Sequence, residues 1–283
     1  MGRRRVRAGA ARRRGGFRLT TPITEAAALE AARLLSDHWR AGRHVDDLPA
    51  ACRPASRRDG ARVQALWAGL TGSRIGGWKI AATSLAGQQH IGVSGPLAGP
   101  VFAHRVHGDG ATLSLADNRM RVAECEVVFR FGRTLAPRAG GYSRAEVLAA
   151  VSALHPGIEA PDSRFLQFER AGEGQLIADC ACCHDMVVGA PVAPDARVDD
   201  LPGLVVRARL SDGRSAEGVG RNVLTDPVVA LVWLVNELSG NGCPVEAGHF
   251  VTTGACVPPI PVTPGVSVEA DFGWLGRVGV RFA

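Results

Sequence analysis

Val122-Ala123-Glu124-Cys125-Glu126-Val127-Val128-Phe129 reads as a β-strand, rich in β-branched residues and free of glycine and proline. Period-two alternation sets Ala123, Cys125, Val127 and Phe129 on one face and Val122, Glu124, Glu126 and Val128 on the other. The two carboxylates share a face, their stems roughly 6 to 7 Å apart at a rise of about 3.3 Å per residue, so both can converge on one cation. A solvated polar face on an edge strand would give the same spacing. The valines that flank both acids on their own face are what a pocket wall predicts instead.

Outward from this strand, short alternating or apolar runs punctuated by Gly and Pro predict further strands. They are Trp78 to Ala82, Ala111 to Leu115, Met186 to Val188, Leu204 to Leu210, Phe250 to Thr253, Val266 to Phe272 and Arg277 to Phe282, with the central run extending to Phe131. Two helices interrupt them. One opens with the capping box Ser143-Arg144-Ala145-Glu146 and is expected to end at His155-Pro156-Gly157. The other has Asp226 as N-cap, Pro227 in its first turn, an apolar face of Leu231, Leu234, Val235 and Leu238, and Gly240 as its stop. Before the strands, Thr24 caps a helix to about Arg40, and a second helix spans about Asp59 to Leu70. The expectation is an α+β fold: a mainly β core with an N-terminal helical section and packed helices. Its parts are an Arg-rich, disordered tail over 1–22, the helical section over 23–76, and a catalytic β domain over 77–283.

The chain has 283 residues and a formal net charge of +6. That charge lies in the tail: residues 1 to 18 hold eight arginines and no acid, leaving 25 basic against 27 acidic residues, a net of −2. A body without basic excess, with Phe17 the tail's single stacking aromatic, argues against nucleic-acid binding. The arginines that interrupt Ala8 to Gly16 exclude an export signal there, and no uninterrupted apolar run of about 18 residues predicts a membrane span. Seven cysteines, an odd number, do not form a secreted disulfide framework, so a reducing cytoplasm is expected. Cys180, Cys182, Cys183 and His184 form one dense group without a second CxxC, which reads as small buried thiols in preference to a zinc site.

A third acid, Glu159, follows in Gly157-Ile158-Glu159-Ala160-Pro161-Asp162. Three carboxylates and no imidazole favour Mg²⁺ or Mn²⁺ over zinc. Lys79 interrupts an apolar strand in Gly76-Gly77-Trp78-Lys79-Ile80; it either snorkels to water from an edge or faces a polar cavity where it pairs with a carboxylate or moves a proton. Thr252-Thr253-Gly254-Ala255 ends a strand with hydroxyls and a glycine, permitting close approach of a ligand to the backbone.

In this order, GWKIAATS at 77–84, AECEVVF at 123–129, PGIEAPDSR at 156–164, ADCACC at 178–183, VLTDPVVALVWLVNEL at 223–238 and TTGACVPP at 252–259 resemble the fumarylacetoacetate hydrolase superfamily. The likeness is to its branch of 2-keto-4-pentenoate hydratases and 4-oxalocrotonate decarboxylases. It implies a twisted β-roll in which Glu124, Glu126 and Glu159 hold the metal and Lys79 is the active-site lysine. Asp179 is implied as a further catalytic group, and Thr83, Ser84, Thr253 and Gly254 as substrate-binding residues. The implied reaction is metal-dependent hydration of 2-hydroxypenta-2,4-dienoate or a similar 2-keto acid, in aromatic meta-cleavage catabolism, by a homo-oligomer. One departure stands out: hydratases of this type are expected to carry an acid where this chain has Leu97, in Pro96-Leu97-Ala98-Gly99, which leaves three expectations open: slow hydration, use of Asp179 or His104 instead, or action on another 2-keto acid. Decarboxylation needs an extra cation for a second carboxylate, for which Arg164 and Arg105 are candidates. Carbon–carbon hydrolysis needs a His–acid pair, and His38 and His44 show none in the sequence.

Overall fold

The computed structural model describes residues 22–194 and 196–283. The Arg-rich tail thus lies outside the described residues, Pro22 excepted.

The chain begins with two helices, α1 (Glu25–Arg40) and α2 (Arg57–Leu70), capped by the Thr24 and Ser56 hydroxyls, which accept from Ala27 N and Asp59 N. There follow β1 (Ile75–Ala81), α3 (Leu85–His90), β2 (Leu97–Phe102), β3 (Val106–Gly108), β4 (Ala111–Leu113), β5 (Val122–Phe131), α4 (Arg144–Leu148) and β6 (Val151–Ala160). The second half has α5 (Phe168–Ala171), α6 (Glu173–Ala178), β7 (Asp185–Val188), β8 (Val205–Leu210), β9 (Ser215–Val219) and α7 (Pro227–Gly240). It closes with β10 (Phe250–Ala255), β11 (Ile260–Pro261), β12 (Ser267–Asp271) and β13 (Arg277–Phe282).

An eight-stranded sheet runs β2-β1-β10-β5-β6-β7-β3, with β11 also paired to β5; a five-stranded sheet runs β4-β13-β12-β8-β9. The large sheet is buried on both faces, and the alternation within β5 separates them. Ala123, Cys125, Val127, Phe129 and Phe131 join a core with the small sheet and with Leu231, Leu234 and Val235 of α7. On the opposite face Val128 joins Phe102, Met186 and Phe250 beneath Ala28, Leu35, Val63 and Trp67 of the N-terminal helices. Glu124 and Glu126 share the parity of Val128 and point into this helix-covered layer. The helical section therefore roofs the very sheet face that carries the acids.

The helix opened by Ser143 ends after Leu148, so the expectation that it runs to His155-Pro156-Gly157 is corrected: those residues belong to β6. Pairing with β5 from Phe131↔Val151 to Glu124↔Glu159 overrides the local helix signal. Pro156 is tolerated because its carbonyl, and hence its missing N–H, points to the β7 side. There the ladder ends at Gly157↔Val188. The sequence also gave no sign of β3, β9, β11 and the short helices α3, α5 and α6.

Gly220–Gly240 is long and apolar enough to cross a membrane by length and composition alone. Its helical part, α7, has 14 residues, about 21 Å, and packs its apolar face into the core, with Leu231 and Leu234 fully buried. It is a core helix.

A buried carboxylate triad as candidate metal centre

Four adjacent strands build the site. The antiparallel register of β5 and β6 places Glu124 directly opposite Glu159 and Glu126 opposite Gly157. On the other side of β5, Val128 faces Thr252 of β10, and Thr252 in turn pairs in parallel with Lys79 of β1. Direct partners in a ladder share a face, so Glu124, Glu126, Glu159, Thr252 and Lys79 converge on one side of the sheet. One carboxylate oxygen from each glutamate lies within 4.8 Å of the other two, the only such group of potential ligands among the described residues.

Burial makes this arrangement electrostatically unusual. Glu126 is 0% and Glu159 2% exposed, while Glu124 is only partly covered. Burial, and then the charges of its neighbours, holds Glu126 well above the ordinary carboxylate range; Glu124 is pushed up to about 7 and Glu159 is raised as well. Lys79 is itself only 2% exposed. Burial works against its ammonium, but Glu159, Glu124 and Glu126 outweigh it and raise its pKa. Its Nζ donates to the carbonyl of Ala181 at 2.9 Å and lies 3.1 Å from Glu159 Oε1. The sequence left open whether Lys79 snorkels from an edge or faces a polar cavity; it is inward-facing, on a strand flanked by β2 and β10.

Hydrogen bonding is lopsided across the triad. Glu126 Oε2 accepts from the Thr252 hydroxyl and from the Gly254 N–H at 2.7 Å, whereas its Oε1 and Glu159 Oε2 have no hydrogen-bond partner and Glu159 Oε1 meets only the Lys79 ammonium. Buried oxygens without donors are rare and costly. Hard, anionic oxygens in a set of three suit an oxygen-seeking divalent ion, and the residues present fit that group.

The remaining candidates fall into two sets. Thr83 is buried against Gly254: a Cβ on that glycine, at φ +103°, would lie 2.2 Å from Thr83 Oγ1. Thr253 donates its hydroxyl to Val127 O at 3.0 Å, and Ser84 is exposed, capping α3. Asp179 stands apart. Fully buried, it accepts from Ser163 Oγ at 2.6 Å and from the Arg164 backbone and guanidinium. Arg164 also donates to the carbonyls of Asp179 and Cys183, so this ion pair ties down the Cys180-Ala181-Cys182 turn. All three turn residues have φ near +55°, a conformation non-glycine residues seldom adopt, and the turn presents the Ala181 carbonyl to Lys79. Burial raises the thiols of Cys182, to about 12, and Cys183.

Leu97, where an acid is expected, begins β2 and is buried with Leu176, Ile177, Ala181 and Cys182. His104 lies beyond the far end of β2, bonded to Ser73 Oγ at 2.8 Å. Neither candidate cation for a second carboxylate is at the triad: Arg164 is held by Asp179, and Arg105 lies 3.3 Å from Asp185. Sequence reasoning missed two features. Thr252 faces Glu126, although Thr253 was the residue singled out; only the register distinguishes them. His44 Nε2 lies 3.4 Å from Asp162 Oδ2 in a cavity of about 100 Å³ that none of the triad lines, a His–acid contact the sequence spacing of 118 conceals.

Comparison with known proteins extends this picture. Residues 95–283 match the family described as fumarylacetoacetate (FAA) hydrolase C-terminal. A 2-keto-4-pentenoate hydratase of Paraburkholderia xenovorans is 31% identical over 212 residues, covering 75% of this chain and 77% of that protein. A 4-oxalocrotonate decarboxylase of a Pseudomonas species is 32% identical over 208 residues, covering 73% and 78%. The 4-oxalocrotonate decarboxylase structure from Pseudomonas putida G7, complexed with magnesium and adipate, superposes with a TM-score of 0.83 at 23% identity. It covers 93% of this chain and 100% of that one.

Proposed function

The chain belongs to the fumarylacetoacetate hydrolase family, and from that premise we propose that it hydrates 2-hydroxypenta-2,4-dienoate, or a closely similar 2-keto acid, to a 4-hydroxy-2-oxo acid. The observation that carries the proposal is the triad itself: three converging carboxylates, two of them buried, roofed by the N-terminal helices and touched by one lysine. Hydratases at 31% identity over three quarters of the chain support the reaction type.

Glu124, Glu126 and Glu159 would hold Mg²⁺ or Mn²⁺. Bound there, the ion supplies electrostatic stabilisation of negative charge developing on the 2-oxo oxygen of the substrate. Lys79 is the protein's own cation at the site, placed to pair with the substrate carboxylate and to deliver or accept a proton at Nζ. Asp179 acts one step removed, holding Arg164 and thereby the turn whose Ala181 carbonyl orients Lys79. Thr83 and Gly254, packed on each other beside Glu126, would form the wall for the carbon chain, with Ser84 and Thr253 next to them in sequence. The body acts as a cytoplasmic homo-oligomer, with the helical section 23–76 as cover and 77–283 as the catalytic domain.

Decarboxylation is disfavoured because Arg164 and Arg105 are both committed to aspartates away from the triad. The test follows ultraviolet decay of 2-hydroxypenta-2,4-dienoate with Mg²⁺ or Mn²⁺, for the native chain, Glu126→Gln and an EDTA-treated sample. Metal-dependent decay to 4-hydroxy-2-oxopentanoate, lost in the variant, is expected. No decay by a folded, metal-loaded protein rejects the hydratase assignment, and absence of metal binding rejects the site.

A further inference from the structure

We infer that Lys79 sets the valence of the ion the triad accepts, by fixing one positive charge against three carboxylates so that the site carries a net −2 and is matched by one divalent cation. This rests on the reading of the triad as a cation site. Carboxylates that ligate a metal are ionised, so Glu124, Glu126 and Glu159 contribute three negative charges when loaded. Lys79, 3.1 Å from Glu159 Oε1 and held by the Ala181 carbonyl, returns one.

The neighbouring basic groups face aspartates. Arg164 is paired with Asp179. His184 and Arg105 both face Asp185, at 2.7 and 3.3 Å. The nearby thiols of Cys182 and Cys183 are pushed up by burial and stay protonated. With Glu126, Glu159 and Lys79 buried, residual charge is expensive, so the ion that brings the total to zero is selected. A monovalent ion leaves −1 and a trivalent ion +1. Lys79 thus discriminates by charge in a place where oxygen ligands alone would favour the highest valence.

The experiment compares the affinities of Tb³⁺ and Ca²⁺, ions of similar size and different charge, by calorimetry and Tb³⁺ luminescence on the full chain. Lys79→Met should raise the ratio of Tb³⁺ to Ca²⁺ affinity roughly tenfold or more, because the potential removed acts in proportion to ion charge. Lys79→Arg, which keeps the charge, should leave the ratio within about threefold of native by the same Coulomb argument. Glu159→Gln keeps an oxygen ligand and removes a negative charge, so it should lower the ratio. If Lys79→Met does not fold, Lys79→Gln, which removes the same charge, takes its place. An unchanged ratio in folded Lys79→Met overturns the inference while leaving the cation site intact; a native protein that binds neither ion overturns the site reading, and this inference with it.

Discussion

Glu124 on β5 and Glu159 on β6 are direct cross-strand partners, carboxylate opposite carboxylate in the middle of a sheet. Like charges so placed repel, and here water is largely excluded. A fold that retains them does so against its own stability, and the sign of that cost can be read from its pH dependence.

Glu124 is raised to about 7, chiefly by burial and then by Glu159, with Lys79 opposing. In the unfolded chain a glutamate ionises near 4.3. Between those values the folded, cation-free protein keeps a proton that the unfolded chain has released, so Glu124's contribution to stability falls as pH rises from about 4.3 to about 7. Melting temperatures in EDTA should show that decline in the native protein and a shallower one in Glu124→Gln. Parallel curves would remove Glu124 from the account.

Thr252 and the Gly254 N–H fix one oxygen of Glu126 and leave the other bare. Outer groups that orient a ligand typically contribute about 10- to 100-fold in metal affinity. Thr252→Val should weaken Mg²⁺ binding by that order in calorimetry, and Thr252→Ser should restore most of it. Equal affinity in all three proteins would show that the hydroxyl does not position the carboxylate.

Arg164 and Asp179 are both almost wholly inaccessible. Removing one member of such a pair strands the other, at a cost of about 3–5 kcal/mol. Arg164→Met and Asp179→Asn should each lower the urea midpoint by a corresponding amount. Arg164→Met combined with Asp179→Asn should lose less than the sum of the two separate changes. Additive losses would argue against direct coupling.

Gly254 is required twice, for its φ of +103° and for the absence of a Cβ that would collide with Thr83. Gly254→Ala should cost about 1–3 kcal/mol in denaturant titration and weaken cation binding, because the displaced N–H is one of the donors to Glu126. A variant of native stability and affinity would contradict this packing.

What the sequence determined by itself was local. Strict alternation in 122–129 put Glu124 and Glu126 on one face, whatever the strand paired with, because the side-chain period of a strand is two. The caps at Thr24, Ser143 and Asp226 were legible because a hydroxyl or carboxylate accepting a nearby backbone N–H is a contact within one turn. The ordered motifs named the family for the same reason: they are read in series.

Register and burial were decided only by the tertiary structure. Glu159 meets Glu124 because β5 and β6 pair with one specific offset, and a one-residue slip would have turned Glu159 to the opposite face. The same register chose Thr252 over Thr253 as the partner of Glu126 and drew His155-Pro156-Gly157 out of the expected helix. Lys79 could have been an exposed edge residue. It became a buried counter-charge because β2 and β10 enclose its strand and a turn 102 residues away offers the Ala181 carbonyl. Interactions over such separations arise from chain packing, and no periodicity along the chain encodes them.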